Sequence, residues 1–187
     1  MRQSYVLLEN YFNDSFIEKF KRYTKPLSQL PGCDAWDTNK QNKLLKDIDL
    51  ENKNCYVKVL MPNNEGFHDI QKELLNIVND NITKLNIDIY QSTHSIQYGA
   101  YLEGSAYRPH VDTTPEHSLW SKKLTIVALL SDRGSFEGGN FLLGNKSVLN
   151  TKGSVVIFPS YMVHSVTTIT SGIRETLASW VVGPQWR

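Results

Sequence analysis

Cysteine is nearly missing from this chain: Cys33 and Cys55 are the only two in 187 residues. Their separation fits no zinc-ligand spacing, and the opening MRQSYVLLENYF lacks the apolar centre of a secretory signal. Both thiols are therefore expected to be free and the protein cytoplasmic. Charge of one sign is also lacking, since Lys+Arg 20 against Asp+Glu 19 leaves a formal +1. Such a balance gives no field for a polyanion or an anionic bilayer, so neither nucleic acid nor membrane is an expected partner. No apolar run approaches the roughly 20 residues of a spanning helix. Repeats, low-complexity tracts and linkers are absent too, so 1–187 reads as one domain, with 40% hydrophobic residues to build its core. Oligomeric state has no signature in this text.

What is present divides by rhythm. Residues 1–90 read as supporting helices and strands. Asn13 or Asp14 can cap a helix whose apolar positions Phe16, Ile17, Phe20 and Tyr23 share one side, and Pro26 and Pro31 break it. The polar stretch 36–64 holds short β-like pieces such as CYVKVLM. A second helix is predicted from about Phe67 to Leu85, where Phe67, Ile70, Leu74, Ile77, Val78, Ile82 and Leu85 keep a helical period. From residue 91 to 184 the period shortens into β-rich runs, HSIQYGAYL, KKLTIVALLS, NFLLG, SVVIFP, HSVTTIT and RETLASWVV, separated by turn residues. The predicted fold is mainly β with supporting helices, around a double-stranded β-helix (jelly-roll) core.

The run YRPHVDTT places a histidine and an aspartate two residues apart behind a proline. In an extended strand His110 and Asp112 point to one side and Val111 to the other, so two metal-binding groups share a wall. His164 in FPSYMVHSVTTIT offers a third ligand. Two imidazoles and one carboxylate form the facial set that leaves coordination positions open on non-haem iron(II), whereas a structural zinc site is closed. Arg174 follows ten residues after His164, on a returning strand. A planar guanidinium there can take a carboxylate bidentately. Beside a metal with open positions, that suits a dicarboxylate chelating iron at its other end, namely 2-oxoglutarate.

Taken together, YLEGSAYRPHVD, LTIVALLSDRGSFEGGNF, GSVVIFPSYMVHSVTTITSGIR and ETLASWVVGP resemble the catalytic core of Fe(II)- and 2-oxoglutarate-dependent dioxygenases, in the prolyl 4-hydroxylase-like branch of bacterial and viral type. The likeness covers roughly residues 98–184. It implies His110, Asp112 and His164 as iron ligands and Arg174 as partner of the distal carboxylate. By the same resemblance Tyr101 assists that carboxylate, Trp180 lines the site from the last strand, Tyr107 is an aromatic near the metal, and Lys122 stands where relatives have a substrate-contacting basic residue. Thr125 and Leu129, two periods apart on one strand face, are expected to wall the cosubstrate pocket. Gly138-Gly139 and Gly153 are expected in tight turns, and Pro159 at a strand terminus. His68, His94 and His117 have no ligand partner at suitable spacing.

The resemblance implies Fe(II), 2-oxoglutarate and O2, with ascorbate as reductant, and hydroxylation of a prolyl residue in a peptide or protein. Asp112 favours hydroxylation over halogenation, because halogenating relatives lack that carboxylate. The segments 36–66 and TTPEHSLWSKK are candidate loops over the substrate groove. Fold analogy does not fix a substrate, so oxidation of another residue type or of a small molecule stays open. So does a non-catalytic jelly-roll binding module of lectin type. A nucleic-acid demethylase is disfavoured by the neutral charge.

Overall fold

A computed structural model describes residues 4–31, 55–113 and 121–186. Along the chain these form β1 (Val6–Leu8), α1 (Asp14–Thr24), β2 (Leu30–Pro31), β3 (Cys55–Leu60), α2 (Phe67–Leu85), β4 (Thr93–Tyr101), β5 (Tyr107–His110) and β6 (Ser121–Leu129). A helical turn at Arg133–Ser135 leads to β7 (Phe136–Gly138), β8 (Phe141–Leu143), β9 (Lys146–Ser147), β10 (Val155–Pro159), β11 (His164–Val166), β12 (Ile169–Gly172) and β13 (Arg174–Gly183).

Both helices start and stop for local reasons. Asn13 caps α1, its Oδ1 accepting the Phe16 N–H at 2.9 Å, and Ile17 and Phe20 on the buried side fix which face meets the sheet. The second helix covers the predicted span. It ends where Asn86 turns left-handed at φ 53 and returns its N–H to the Ile82 carbonyl. Its buried residues Phe67, Ile70, Leu74, Ile77 and Val78 form the apolar stripe read from the sequence. Among the described residues no helix is long and apolar enough to cross a membrane.

Seven strands form the main sheet in the order β1-β10-β6-β13-β4-β3-β2, and a four-stranded sheet, β5-β11-β8-β9, faces it. Every pairing in both is antiparallel. Two facing antiparallel sheets give the jelly-roll core. Strands β1, β2 and β3, from the half read as support, lie in the same sheet as the later strands.

Alternation then assigns the two faces of the main sheet. Leu60, Ile96, Leu124, Ile126, Val155, Ile157, Leu177 and Val181 join the helices in one apolar cluster. Val127, Leu129, Val156 and Phe158 point the other way and pack with Phe141, Leu143 and Val166 of the small sheet. The run HSVTTIT is not one strand. Its chain leaves β11 at Thr167, whose N–H bonds the Asn140 carbonyl, and then enters β12 against β7. The two threonines thus carry the chain from the four-stranded sheet to a two-stranded one.

Candidate active site

Between the facing sheets lies a cavity lined from both sides, and it gathers almost every residue singled out above. The main sheet contributes Val57, Gln97, Gly99, Tyr101, Lys122, Thr125, Val127, Arg174, Thr176, Ala178 and Trp180. Opposite stand Tyr107, His110, Asp112, Phe141, His164 and Val166. Leu129 is the exception and corrects the expectation for that strand. It follows Val127 on the same face but is fully buried in the second apolar cluster, so Thr125 and Val127 form the wall and Leu129 lies behind it.

His110 ends β5, and β5 pairs with β11 so that His110 and His164 are direct register partners. That cross-strand pairing is why residues far apart in sequence meet, with ring centroids 4.1 Å apart. Asp112 lies beyond the end of β5. Its backbone N–H bonds the Ser160 carbonyl at 2.9 Å, which folds the chain back toward β10. The result is one ligand atom from each of His110, Asp112 and His164, all within 4.8 Å of one another. Asp112 bridges the pair, with Oδ1 3.6 Å from His110 Nε2 and Oδ2 3.4 Å from His164 Nε2.

Both imidazoles are oriented by the backbone. His110 Nδ1 lies 2.9 Å from the Arg108 carbonyl and His164 Nδ1 3.0 Å from the Met162 carbonyl. A carbonyl only accepts, so Nδ1 is the donor in each ring and Nε2 is the nitrogen turned to the shared space. The carboxylate is oriented as well: the Thr125 hydroxyl donates to Asp112 Oδ2 at 2.7 Å, and Ser160 Oγ lies 3.0 Å behind Thr125 Oγ1. Two imidazoles and one carboxylate on an open cavity are a donor set suited to iron(II) with positions left for other ligands. Tyr107 stacks on His110 at 3.8 Å between centroids.

At the other end is Arg174, 1% exposed, with Nε and Nη2 finding no acceptor among the described residues. Burial lowers its pKa to about 10, partly opposed by Tyr101 and reinforced by Arg133. Tyr101 is its register partner across β13 and β4, and the guanidinium carbon lies 5.4 Å from the Tyr101 ring centroid. Burial, more than any charge, pushes the Tyr101 hydroxyl above its ordinary range, so it stays protonated and can donate. A buried guanidinium with two idle donors is satisfied by an acceptor that enters from outside, and an anion would answer its charge as well. The cavity wall beside it is tight, since a Cβ on Gly99 would stand 2.9 Å from Thr176 Oγ1.

Residues 96–182 match the family model for the 2OG-Fe(II) oxygenase superfamily. Over those residues the chain is similar to that superfamily. A PKHD-type hydroxylase of Prochlorococcus marinus is 28% identical over 109 residues, which are 56% of this chain and 48% of that protein. The chain spans about half the length of the curated relatives it matches. Among solved structures, the fold is similar to the viral collagen prolyl hydroxylase of Paramecium bursaria Chlorella virus-1, with TM-score 0.69, 16% identity and 97% of both chains covered. It is also similar to a Pseudomonas putida prolyl-4-hydroxylase, with TM-score 0.67, 12% identity, and coverage of 98% of this chain and 94% of that one.

Trp180 faces Thr125 across β13 and β6, and Lys122 Nζ lies 4.1 Å over its ring. Its buried Nε1 finds no acceptor among the described residues. The sequence reading missed Val57, Gln97, Gly99 and Thr176 on the wall, and the part of Ser160 behind Thr125. Strand alternation from Tyr101 and Arg174 would have found Gly99 and Thr176. His68 is exposed beside Gln71, and His94 lies beside Ser95. The Cys55 side chain is buried. Cys33, His117 and most of both candidate substrate loops lie outside the described residues.

Proposed function

We propose that this chain is an Fe(II)- and 2-oxoglutarate-dependent dioxygenase that hydroxylates a C–H bond of a prolyl residue within a peptide or protein. His110, Asp112 and His164 hold the metal through Nε2, a carboxylate oxygen and Nε2. Arg174 takes the distal carboxylate of 2-oxoglutarate, with the Tyr101 hydroxyl beside it. Bound iron(II) supplies the oxidising chemistry, in which 2-oxoglutarate and O2 give succinate and CO2 and one oxygen atom enters the substrate as hydroxyl.

The chain's own contribution is geometric. The backbone carbonyls of Arg108 and Met162 keep both imidazoles in the metal-binding tautomer, and Thr125 fixes the carboxylate. Val127, Phe141 and Val166 give the cavity that holds the ligand cluster and Arg174 an apolar wall, which strengthens a charge-assisted pair made there. Tyr107, Lys122 and Trp180 line the same cavity and are available to contact substrate.

The observation that carries this reading is the coexistence, in one cavity, of a three-ligand cluster with open space and a buried guanidinium that lacks an acceptor. The prolyl assignment is supported by likeness to structures described as prolyl hydroxylases.

The test is to load the protein anaerobically with Fe(II), add 2-oxoglutarate, ascorbate, O2 and a panel of proline-containing peptides, and follow CO2 release and the mass gain of one oxygen atom. Peptide-stimulated decarboxylation that is lost in His164→Ala is the expected result. Coupled turnover of free proline or another small molecule would overturn the substrate. Retained turnover in His164→Ala would overturn the metal site, and failure to bind iron and 2-oxoglutarate at all would favour a non-catalytic binding module.

A further inference from the structure

Arg133, in the helical turn between β6 and β7, spends its fork on the next turn of the chain. Its Nη1 donates to the Gly138 carbonyl at 2.8 Å and its Nη2 to Asn140 Oδ1 at 2.6 Å. The guanidinium also lies 4.7 Å over the Phe136 ring. Between the two anchored residues is Gly139, at φ +58. A Cβ there would stand 3.0 Å from Arg174 Cδ, 2.3 Å from Ile169 Cδ1 and 3.3 Å from Phe136 Cε2. The backbone that Arg133 pins is thus the surface against which the stem of Arg174 rests. The same turn is fastened from its other side: the Gly139 N–H bonds the Thr168 carbonyl at 3.0 Å, and the Asn140 N–H bonds Thr167 Oγ1 at 2.9 Å.

Both acceptors of Arg133 are uncharged, so its positive charge is not cancelled by the contacts that hold it. That charge is felt at Arg174, where it acts with burial to disfavour a second cation. An anion arriving at Arg174 therefore meets two positive groups, one in contact and one behind the turn.

We propose that Arg133 is a positioning residue for the distal carboxylate of 2-oxoglutarate, pressing the Gly138–Asn140 turn onto the stem of Arg174 and adding a second cation to the site. This rests on the reading of Arg174 given above. The geometry explains why two consecutive glycines occur here: Gly138 has φ +70, with a would-be Cβ 2.1 Å from the Thr168 carbonyl, and neither position tolerates a side chain.

The test compares two ligands on protein loaded with Mn(II), so that nothing turns over: 2-oxoglutarate, and 2-oxovalerate, which has the same carbon chain but a methyl in place of the distal carboxylate. Binding is read by calorimetry, Mn(II) affinity is measured separately, and thermal unfolding checks each variant. Arg133→Gln is expected to weaken 2-oxoglutarate roughly tenfold, the scale of one partly screened charge, and 2-oxovalerate by less than about twofold. Arg133→Lys keeps the charge without the fork, and a loss for 2-oxoglutarate of about threefold is expected. Equal weakening of both acids by either variant would mean general distortion and overturn the proposal. Unchanged 2-oxoglutarate binding would overturn it too. If Arg133→Gln does not fold, the two ligands measured on Arg133→Lys decide. Arg174→Gln serves as the reference. If that variant also fails to discriminate the two acids, the assignment of Arg174 is what has failed.

Discussion

Replacing Arg174 with methionine is expected to stabilise the unliganded protein while removing its response to 2-oxoglutarate. The side chain is 1% exposed, and two of its nitrogens have no acceptor among the described residues. Burial is the main cause that lowers its pKa from the ordinary arginine range to about 10. A displacement of that size corresponds to about 3 kcal/mol against the charged form. Two unmade hydrogen bonds, at about 1–3 kcal/mol each, lead to a similar figure by an independent route. Methionine fills much of the same volume without charge, and exchanges of this kind stabilise by about 1–4 kcal/mol. For a chain of this size that is a rise in Tm of roughly 2–16 °C.

The sign of the pH dependence follows. The folded pKa lies below the unfolded one, so from about 10 up to the ordinary arginine range the unfolded chain holds the additional proton and wild-type stability rises with pH in that window. Denaturant unfolding should show the variant ahead by a constant margin from neutrality to about pH 9, and the margin should shrink above pH 10. In the presence of metal, 2-oxoglutarate at a hundred times its Kd should stabilise wild type by about 2.7 kcal/mol and leave the variant unmoved. A variant less stable than wild type at neutral pH would mean that the guanidinium is satisfied by the protein itself. A retained 2-oxoglutarate shift would place the carboxylate elsewhere. Either outcome refutes the reasoning.

Other consequences are simpler to read. Thr125→Val removes the hydroxyl that donates to Asp112 and should weaken iron(II) affinity about 10–100-fold with little change in unfolding, measured by competition with a chelator. Gly153→Ala, remote from the cavity, should cost about 2 kcal/mol or more in urea unfolding while leaving metal affinity alone, because φ is +77 and the new Cβ would stand 2.1 Å from the Phe12 carbonyl.

The helices were legible because each has a period and stops that act locally: Phe67 to Leu85 keeps its stripe without help from the rest of the chain. The site was legible as an ordered set, H-x-D, Gly-Gly, F-P-S, His and Arg, whose members have chemistry of their own. What sequence could not supply was pairing. Nothing in YRPH or HSV says that His110 and His164 face each other, and β1 and β2 are too short to announce that they join the main sheet. Leu129 shows the same limit, since it shares a strand face with Thr125, and only the closing of the small sheet over that face decides where cavity ends and packing begins. Ser160 was legible as part of a motif but not as a support for Thr125, because that contact depends on the register Phe158↔Thr125 of β10 with β6.

Arg174 points into the cavity although burial there is unfavourable to it, and its neighbours on β13 explain why. Glu175 faces the helix side, where its Oε1 accepts from the Tyr98 hydroxyl at 2.5 Å and its Oε2 from Lys21 Nζ at 2.7 Å. Its backbone is fixed on both sides, the N–H to Ser131 Oγ at 2.7 Å and the carbonyl by the Leu130 N–H at 2.9 Å. Leu177 and Val181 are fully buried in the helix-side cluster of the same strand. A slip of one residue would turn all of these inward and set Arg174 on the helix side beside Lys21, a second cation in place of the carboxylate that Lys21 now meets. The strand therefore has one acceptable register, set by Glu175 and the apolar residues, and that register imposes Arg174, Thr176, Ala178 and Trp180 on the cavity. Stability is spent on the outward face to hold a cation on the inward face in the position where a dicarboxylate can use it.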